Sequence, residues 1–549
     1  MIERRVQRLI NVGLFLCFIM YIFIAFNSVL INDDYMALYT MWLLSDGKEA
    51  GVDFNIDSYT LLFDLLAPLY YIVGERIEIV YFYRILFIFL ILIASNQIYL
   101  LIRIFFNRSV ALITLIFILT TTAMFMRGLD LRPDLLILVL WLQILVVIYV
   151  KKDKSGKKMF LIGFLCSCAL LFKFKAILIG VVIGIYLLAG ISQPHFFKKT
   201  VVKFMAFVSG SSVCIILFYF FGSEATFNLF LDTTQDLLLY SVNHTSENVS
   251  LRIKVLGRYF IQDTVFWLLS VSGFFIACLQ FKKWDYQQQS CLLAMSFLLL
   301  LTILANPHYH AYNLVTLYPL MGVFCAFSIN FLSSSRKISR ETKIRLSIIV
   351  ISISVIKGAI IHYYRDNQHQ IALHQFIKNN TLYVDSVFAY EGVGLFRPST
   401  YHWRTSAIKI NNYWEGRYNV WQEILSEKPI LVLESYRIPN WLLQEDRVSL
   451  YAHYVEIAPH VLTLGFSNGS NIEGNILREG LYKVTNSDGE ICLLDEKRYF
   501  SGESLWLKAG PHTLSTEIGI CTIQWNFTKG ALEELKRSNS RSKPYLYSP

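Results

Sequence analysis

The stretch LINVGLFLCFIMYIFIAFNSVLINDDY, Leu9 to Tyr35, sets a long apolar run directly against paired carboxylates. Crossing a hydrocarbon core takes roughly 20 apolar residues, and 9–31 meets that length. Arg4, Arg5 and Arg8 precede it, and basic residues favour the cytoplasmic side, so the N-terminus is expected inside. The run is too long for a typical signal core and has no small-residue cleavage site before Asn32, so it is expected to persist as a first anchor. Asn32-Asp33-Asp34-Tyr35 then falls at the water boundary, where carboxylates beside lipid are costly unless something uses them.

Working outward, the chain has the composition of a polytopic membrane protein. Of its 549 residues, 55% are hydrophobic and only 16% charged, against about 25% charged in soluble domains. Mean hydropathy is +0.46. About eleven spans are expected, at 9–31, 79–102, 109–126, 134–150, 159–173, 176–192, 201–221, 260–280, 290–305, 311–332 and 344–361. Alternation from an inside N-terminus assigns 103–108, 151–158, 193–200, 281–289 and 333–343 to the cytoplasm. Those loops hold Arg103, Lys151, Lys152, Lys198, Lys282 and Arg336, among other basic residues, so the count and the charge rule agree. The net charge of +10 therefore reflects short basic loops and gives no reason to expect nucleic acid.

The outer side receives the longer loops. Helices are expected at Asp34–Leu44 and Tyr59–Tyr71, with further helical patterning around Leu229–Tyr240. An odd number of spans puts everything after about residue 361 outside. The expected division is a membrane domain, 1–361, a soluble region, 362–527, and a polar tail, 528–549. Within the soluble region, 382–390 and 430–433 are strand-like. From about 450, short runs such as 480–485, 504–508 and 518–525 are divided by Asn468-Gly469, Asp488-Gly489 and Gly510-Pro511, which reads as a β-sandwich. The fold class expected is a polytopic α-helical membrane protein with a C-terminal extracytoplasmic α/β plus β-sandwich region. Seven of the nine cysteines lie in apolar segments and act as small hydrophobes. Cys492 and Cys521 lie in the outer region, where oxidation permits a disulfide that spacing alone does not fix.

Four polar clusters fall at outer span ends, and each has a structural and a chemical reading. Asp33 can cap the helix that follows it, or act with Asp34 as a general base or ion-binding pair. Arg132-Pro133-Asp134 can anchor a helix start, or Arg132 can hold a phosphate. Lys173 and Lys175 can snorkel to headgroups or bind phosphate. His308 and His310, beside Tyr312, fit an interfacial aromatic belt, phosphate donation, or a metal site completed by Asp33 and Asp34. Carboxylates, cations and imidazoles together at headgroup depth are the equipment for chemistry on a phosphate at a membrane surface.

On these residues the chain resembles a GT-C superfamily glycosyltransferase, nearest the group of protein O-mannosyltransferases and the aminoarabinose transferase of lipid A. Asn32-Asp33-Asp34 stands where that group has an Asp-Glu pair after the first span, with Asp34 replacing Glu. Gly47, Asp57 and Ala67-Pro68-Leu69 fit the stretch that follows, and Arg84 fits an arginine opening the second span. Arg132-Pro133-Asp134, Lys173-Phe174-Lys175-Ala176, and His308-Tyr309-His310 with Tyr312 and Tyr318-Pro319-Leu320 resemble its later motifs. The resemblance covers roughly 1–360.

It implies a sugar donor on polyprenyl phosphate and an acceptor hydroxyl on a lipid, glycan or protein. Asp33 and Asp34 would be catalytic, and Arg132, Lys173, Lys175, His308 and His310 would hold the donor phosphate. Arg84, Asp134 and Tyr312 would support them, and a divalent metal is left open. Membrane lipids are the other expected partners, and a bacterial inner membrane is the expected location. A transporter or flippase for lipid-linked sugars, or a non-catalytic glycan-binding protein, is the alternative. The absence of an internal repeat weighs against a transporter.

Overall fold

The computed structural model describes residues 2–54, 56, 61–150, 156–188, 196–221, 227–235, 245–304, 310–334, 352, 356–357, 367–389, 392–399, 407–417, 419–434, 437–468, 473–488 and 491–539. The chain divides into two compact units. The first comprises 1–28, 58–65 and 80–363, and the second 29–57, 66–79 and 364–549.

The first unit is helical, and its helices follow the apolar runs of the sequence. They are α1 (Ile2–Asn27), α5 (Ile79–Ile102), α6 (Arg108–Leu119), α7 (Thr122–Arg127), α8 (Pro133–Tyr149), α9 (Gly156–Phe172), α10 (Ile179–Leu188) and α11 (Phe196–Phe221). Later come Thr245–Gln262, Thr264–Gln280, Tyr286–Leu304 and Leu314–Ser334. Among the described residues, six helices are long and apolar enough to cross a membrane, and four shorter apolar helices accompany them. This is an integral membrane protein. The expected span at 344–361 lies almost wholly outside the described residues.

One local departure from the expected spans has a clear cause, and one helix pair packs unusually closely. The run 109–126 is broken into α6 and α7 at Thr120-Thr121. Thr120 Oγ1 donates to Ile116 O and Thr121 Oγ1 to Ile118 O, each at 2.8 Å. Hydroxyls that take up backbone carbonyls in this way compete with helix continuation. The helices α9 and α11 approach more closely than side chains allow. A Cβ on Gly163 would strike Phe207 O, and one on Gly210 would strike Phe160 O. Small residues at such crossings let membrane helices pack backbone to backbone.

In the second unit, α2 (Asn32–Ser45), α3 (Leu61–Leu66, which straddles the boundary) and α4 (Leu69–Val73) correspond to the two expected outer helices. Among the described residues the C-terminal part carries eleven strands in two sheets. One runs β1 (Val387–Ala389), β2 (Leu431–Leu433), β4 (Val461–Ser467), β11 (Cys521–Trp525), β6 (Gly480–Asn486) and β9 (Ser504–Leu507), with β3 (Tyr454–Ala458) also on β4. The other runs β5 (Glu473–Ile476), β10 (Gly510–Ser515), β7 (Ile491–Leu494) and β8 (Lys497–Phe500). Strands β1 and β2 are parallel, with helices Ala407–Trp414 and Val420–Glu427 between them in sequence, which is the α/β element. The remaining pairs are antiparallel, as a sandwich requires.

Cys492 on β7 and Cys521 on β11 are disulfide-bonded, with Cα atoms 5.9 Å apart, and so tie the two sheets together. Gly510-Pro511, expected as a turn, instead opens β10, paired with Ile476 and Asn475 of β5. A proline has no amide to give a ladder and is tolerated at a strand's first residues. The polar tail is helical over Lys529–Asn539, with Leu535 buried.

Candidate active site

The first unit gathers three of the sequence clusters. Pro133 opens α8 at the first helical position, which fixes Asp134 in the first turn, where a carboxylate suits the helix dipole. After α9 the chain extends at Lys173 and then turns through a 3-10 segment, Phe174–Leu178. Trp141 of α8, fully buried, donates its indole N–H to Ala176 O at 3.3 Å. That contact holds the turn beside α8 and brings both lysines to one carboxylate.

Lys173 Nζ lies 3.3 and 3.2 Å from the two oxygens of Asp134, and Lys175 Nζ pairs with Oδ1. Arg132 Nε donates to Oδ2 at 3.2 Å. Lys175 also donates to Asn313 Oδ1 at 3.3 Å. Tyr312 roofs the cluster: the Arg132 guanidinium lies 3.4 Å from its ring centroid and Lys173 Nζ 4.7 Å, both within cation–π range. His310 is exposed, its ring 5.3 Å from that of Tyr312.

Three cations surround one carboxylate here. Asp134 and Lys175 are buried, with side chains 3% and 6% exposed, while Lys173 retains 25% and Arg132 16%. The buried pair is the fixed part. Lys173 and Arg132 are the groups with surface left for a ligand. Such an arrangement suits a phosphate, which a guanidinium meets as a planar fork and an ammonium as a point charge. His308 lies outside the described residues.

The acidic element belongs to the second unit. Helix α2 begins at Asn32 with Ile31 as its N-cap, so Asp33 is not the cap. Asp34, third in the helix and almost fully buried, accepts from Ile31 N at 3.2 Å, the reciprocal half of a capping box. Asp33 stays half-buried. The two carboxylates are thus separated by environment, one closing the helix start and the other half-buried beside it. In the first unit Arg84, 4% exposed, donates to Ala25 O at 3.2 Å and Ser28 O at 2.7 Å. It satisfies carbonyls at the end of α1. No group of three or more His, Cys, Asp or Glu side chains able to hold a metal occurs among the described residues.

Several contributors escaped sequence reasoning. Asn313 adds an acceptor to the cation cluster. His374, on the Gln368–Asn380 helix, meets Tyr35 OH through Nε2 at 3.2 Å. Its Nδ1 is buried without a hydrogen-bond partner among the described residues. Burial pushes its pKa down from the ordinary 6.5 to about 3. Between those values the unfolded chain binds a proton that the folded chain refuses, so stability falls as pH falls, and above about 6.5 the group adds no slope. The full-length protein should lose a few kcal/mol across that window through this group. Thermal unfolding against pH checks it, and His374→Asn should flatten the slope.

Asp263, 6% exposed, accepts from Thr122 N at 3.0 and 3.1 Å, from Thr122 Oγ1 at 2.9 Å and from Tyr318 OH at 3.0 Å. Lys357 pairs with it. It therefore caps α7 from another helix boundary, which no local pattern announces. Asp263→Ala strands these donors and should destabilise the folded protein by about 3–5 kcal/mol, seen as a large drop in thermal midpoint.

The geometry can be set beside known proteins. The model of the family described as dolichyl-phosphate-mannose-protein mannosyltransferase matches residues 60–221. No curated protein matches by sequence. Among solved structures the chain is similar to ArnT from Cupriavidus metallidurans bound to undecaprenyl phosphate. The TM-score is 0.55 at 11% identity, over 83% of this chain and 97% of that one. It is also similar to the archaeal oligosaccharyltransferase AglB from Archaeoglobus fulgidus, in complex with an inhibitory peptide and a dolichol-phosphate. There the TM-score is 0.50 at 9% identity, over 92% of this chain and 76% of that one. At such identities the likeness is one of fold. With the family match, it bears out the resemblance read from the sequence to the GT-C type, membrane helices followed by a β-rich C-terminal region.

Proposed function

We propose that the protein is a glycosyltransferase that moves a sugar from a polyprenyl-phosphate donor to an acceptor hydroxyl at the extracytoplasmic face of a bacterial inner membrane. The observation that carries this reading is the cation cluster: Arg132 and Lys173, partly exposed, beside the buried Lys175–Asp134 pair. The family matched over 60–221 is named for dolichyl-phosphate-mannose, and the two similar structures carry undecaprenyl phosphate and dolichol-phosphate. The Cys492–Cys521 disulfide fits an oxidising compartment for the C-terminal region.

In the proposed reaction Asp33 accepts the proton of the acceptor hydroxyl. The acceptor oxygen bonds to the anomeric carbon as the bond to the donor phosphate oxygen breaks, which inverts the centre. The electron pair leaves on the polyprenyl phosphate, and Arg132, Lys173 and Lys175 meet its growing charge, with His308 and His310 as further donors. Loss of one such preorganised contact typically costs about 3–4 kcal/mol in the transition state. Asp34, engaged at the helix start, serves the element's shape.

The test is mass spectrometry of lipids co-purifying with wild-type protein and with Asp33→Asn. A sugar-charged polyprenyl phosphate on both, enriched on the variant, supports the reading and identifies the sugar. Ordinary phospholipids alone on both would overturn it and favour a transporter or a non-catalytic glycan-binding protein.

A further inference from the structure

The C-terminal region holds the acidic element by its backbone. Gln370, on the Gln368–Asn380 helix, closes a pair of hydrogen bonds on Leu30. Leu30 N donates to Gln370 Oε1 at 2.7 Å, and Gln370 Nε2 donates to Leu30 O at 2.8 Å. Gln370 is 2% exposed and Leu30 is fully buried. One turn along, His374 meets the Tyr35 hydroxyl, their rings 5.4 Å apart. The two contacts bracket Asp33 in sequence. The rest of α2 is seated on the same region. Tyr39 OH donates to Arg397 O at 3.0 Å, and Gly392, in the left-handed region at φ 72°, lies so close to the Tyr39 ring that a Cβ would strike it.

We propose, resting on the reading of Asp33 as the base, that Gln370 is a positioning residue of the transfer reaction. Its amide satisfies both backbone groups of one residue at once, which fixes the register of 30–35 and hence the aim of Asp33. Without it a buried N–H and a buried C=O lack partners, and relieving that cost requires the segment to move. A displacement of about 1 Å at a reacting group costs on the order of 100-fold in rate. On this view the C-terminal region, remote in sequence, is part of the catalytic apparatus.

The experiment compares full-length wild type, Gln370→Ala, Gln370→Glu and Asp33→Asn. The measurements are the ratio of sugar-charged to uncharged co-purifying polyprenyl phosphate, turnover of that lipid against pH, and hydrogen exchange over 30–35. Gln370→Ala is expected to keep its lipid, accumulate the charged form, slow turnover by about 100-fold and exchange faster at 30–35 alone. In Gln370→Glu the protonated carboxyl offers Leu30 the same donor and acceptor, whereas the ionised one loses the donor and repels the carbonyl. Its turnover relative to wild type should therefore recover as pH is lowered, while the Ala variant stays slow at every pH. The titratable neighbours in sequence, His369 and His374 on its own helix and Asp33, Asp34 and Tyr35 on the held segment, are common to wild type and cancel in that ratio.

Wild-type turnover in Gln370→Ala beside an inactive Asp33→Asn overturns the proposal. So does loss of bound lipid with faster exchange throughout the C-terminal region, which is a folding role, and so does a Glu variant that tracks the Ala variant at every pH. An active Asp33→Asn removes the base reading instead. In that case faster exchange confined to 30–35 retains Gln370 as the clamp, and unchanged exchange removes it.

Discussion

Asp33→Asn is expected to yield a folded protein whose transfer rate falls by a factor of about 100–10,000, the usual contribution of a positioned general base. The amide keeps the shape of the carboxylate and loses its ability to take a proton. Folding should be spared because the cap of α2 is made by Asp34, which accepts from Ile31 N, and Asp33 is only half-buried. Substitutions at such positions usually stay within about 0.5 kcal/mol. Turnover of the co-purified donor, read as release of polyprenyl phosphate, and a thermal midpoint close to wild type would together support the assignment. Full turnover would remove it. Asp34→Asn provides a contrast, because there the helix start itself is weakened, and stability should fall along with rate.

The second large effect is expected at Asp134, from the opposite cause. Asp134→Ala removes the carboxylate that all three cations share, leaving Lys175 buried beside Lys173 and Arg132. Removing one partner of a buried pair typically costs about 3–5 kcal/mol, because the other charge stays desolvated and unpaired. Repulsion between three cations adds to this. The expected outcome is poor accumulation of folded protein and a large drop in thermal midpoint. Added undecaprenyl phosphate, by supplying negative charge, should raise the midpoint of Asp134→Ala more than that of wild type, since a ligand stabilises whichever state it binds. An unchanged midpoint in Asp134→Ala would mean that the lysines have other partners, and that the cluster is not the tuned site proposed.

Much of this chain was decided by its sequence. The apolar runs placed most of the helices of the first unit, and among the described residues six of them are long enough to cross a membrane. The RPD, KFK and late Tyr elements were legible because charge at a span end is expensive and therefore rare, and three of them do meet at Asp134. The short strands after 450 were legible from their turns, except at Gly510-Pro511, where the same dipeptide opens a strand.

Tertiary structure decided what depends on pairing across the chain. Asp33 and Asp34 look equivalent in sequence, and only the helix start at Asn32 separates the capping carboxylate from the half-buried one. The hold of Asp263 on α7, the staple from β7 to β11 and the clasp of Gln370 on Leu30 each join residues far apart in number. Hydrogen-bond partners at such separations follow no local period, so hydropathy and spacing could give the elements while only the folded chain gave their connections.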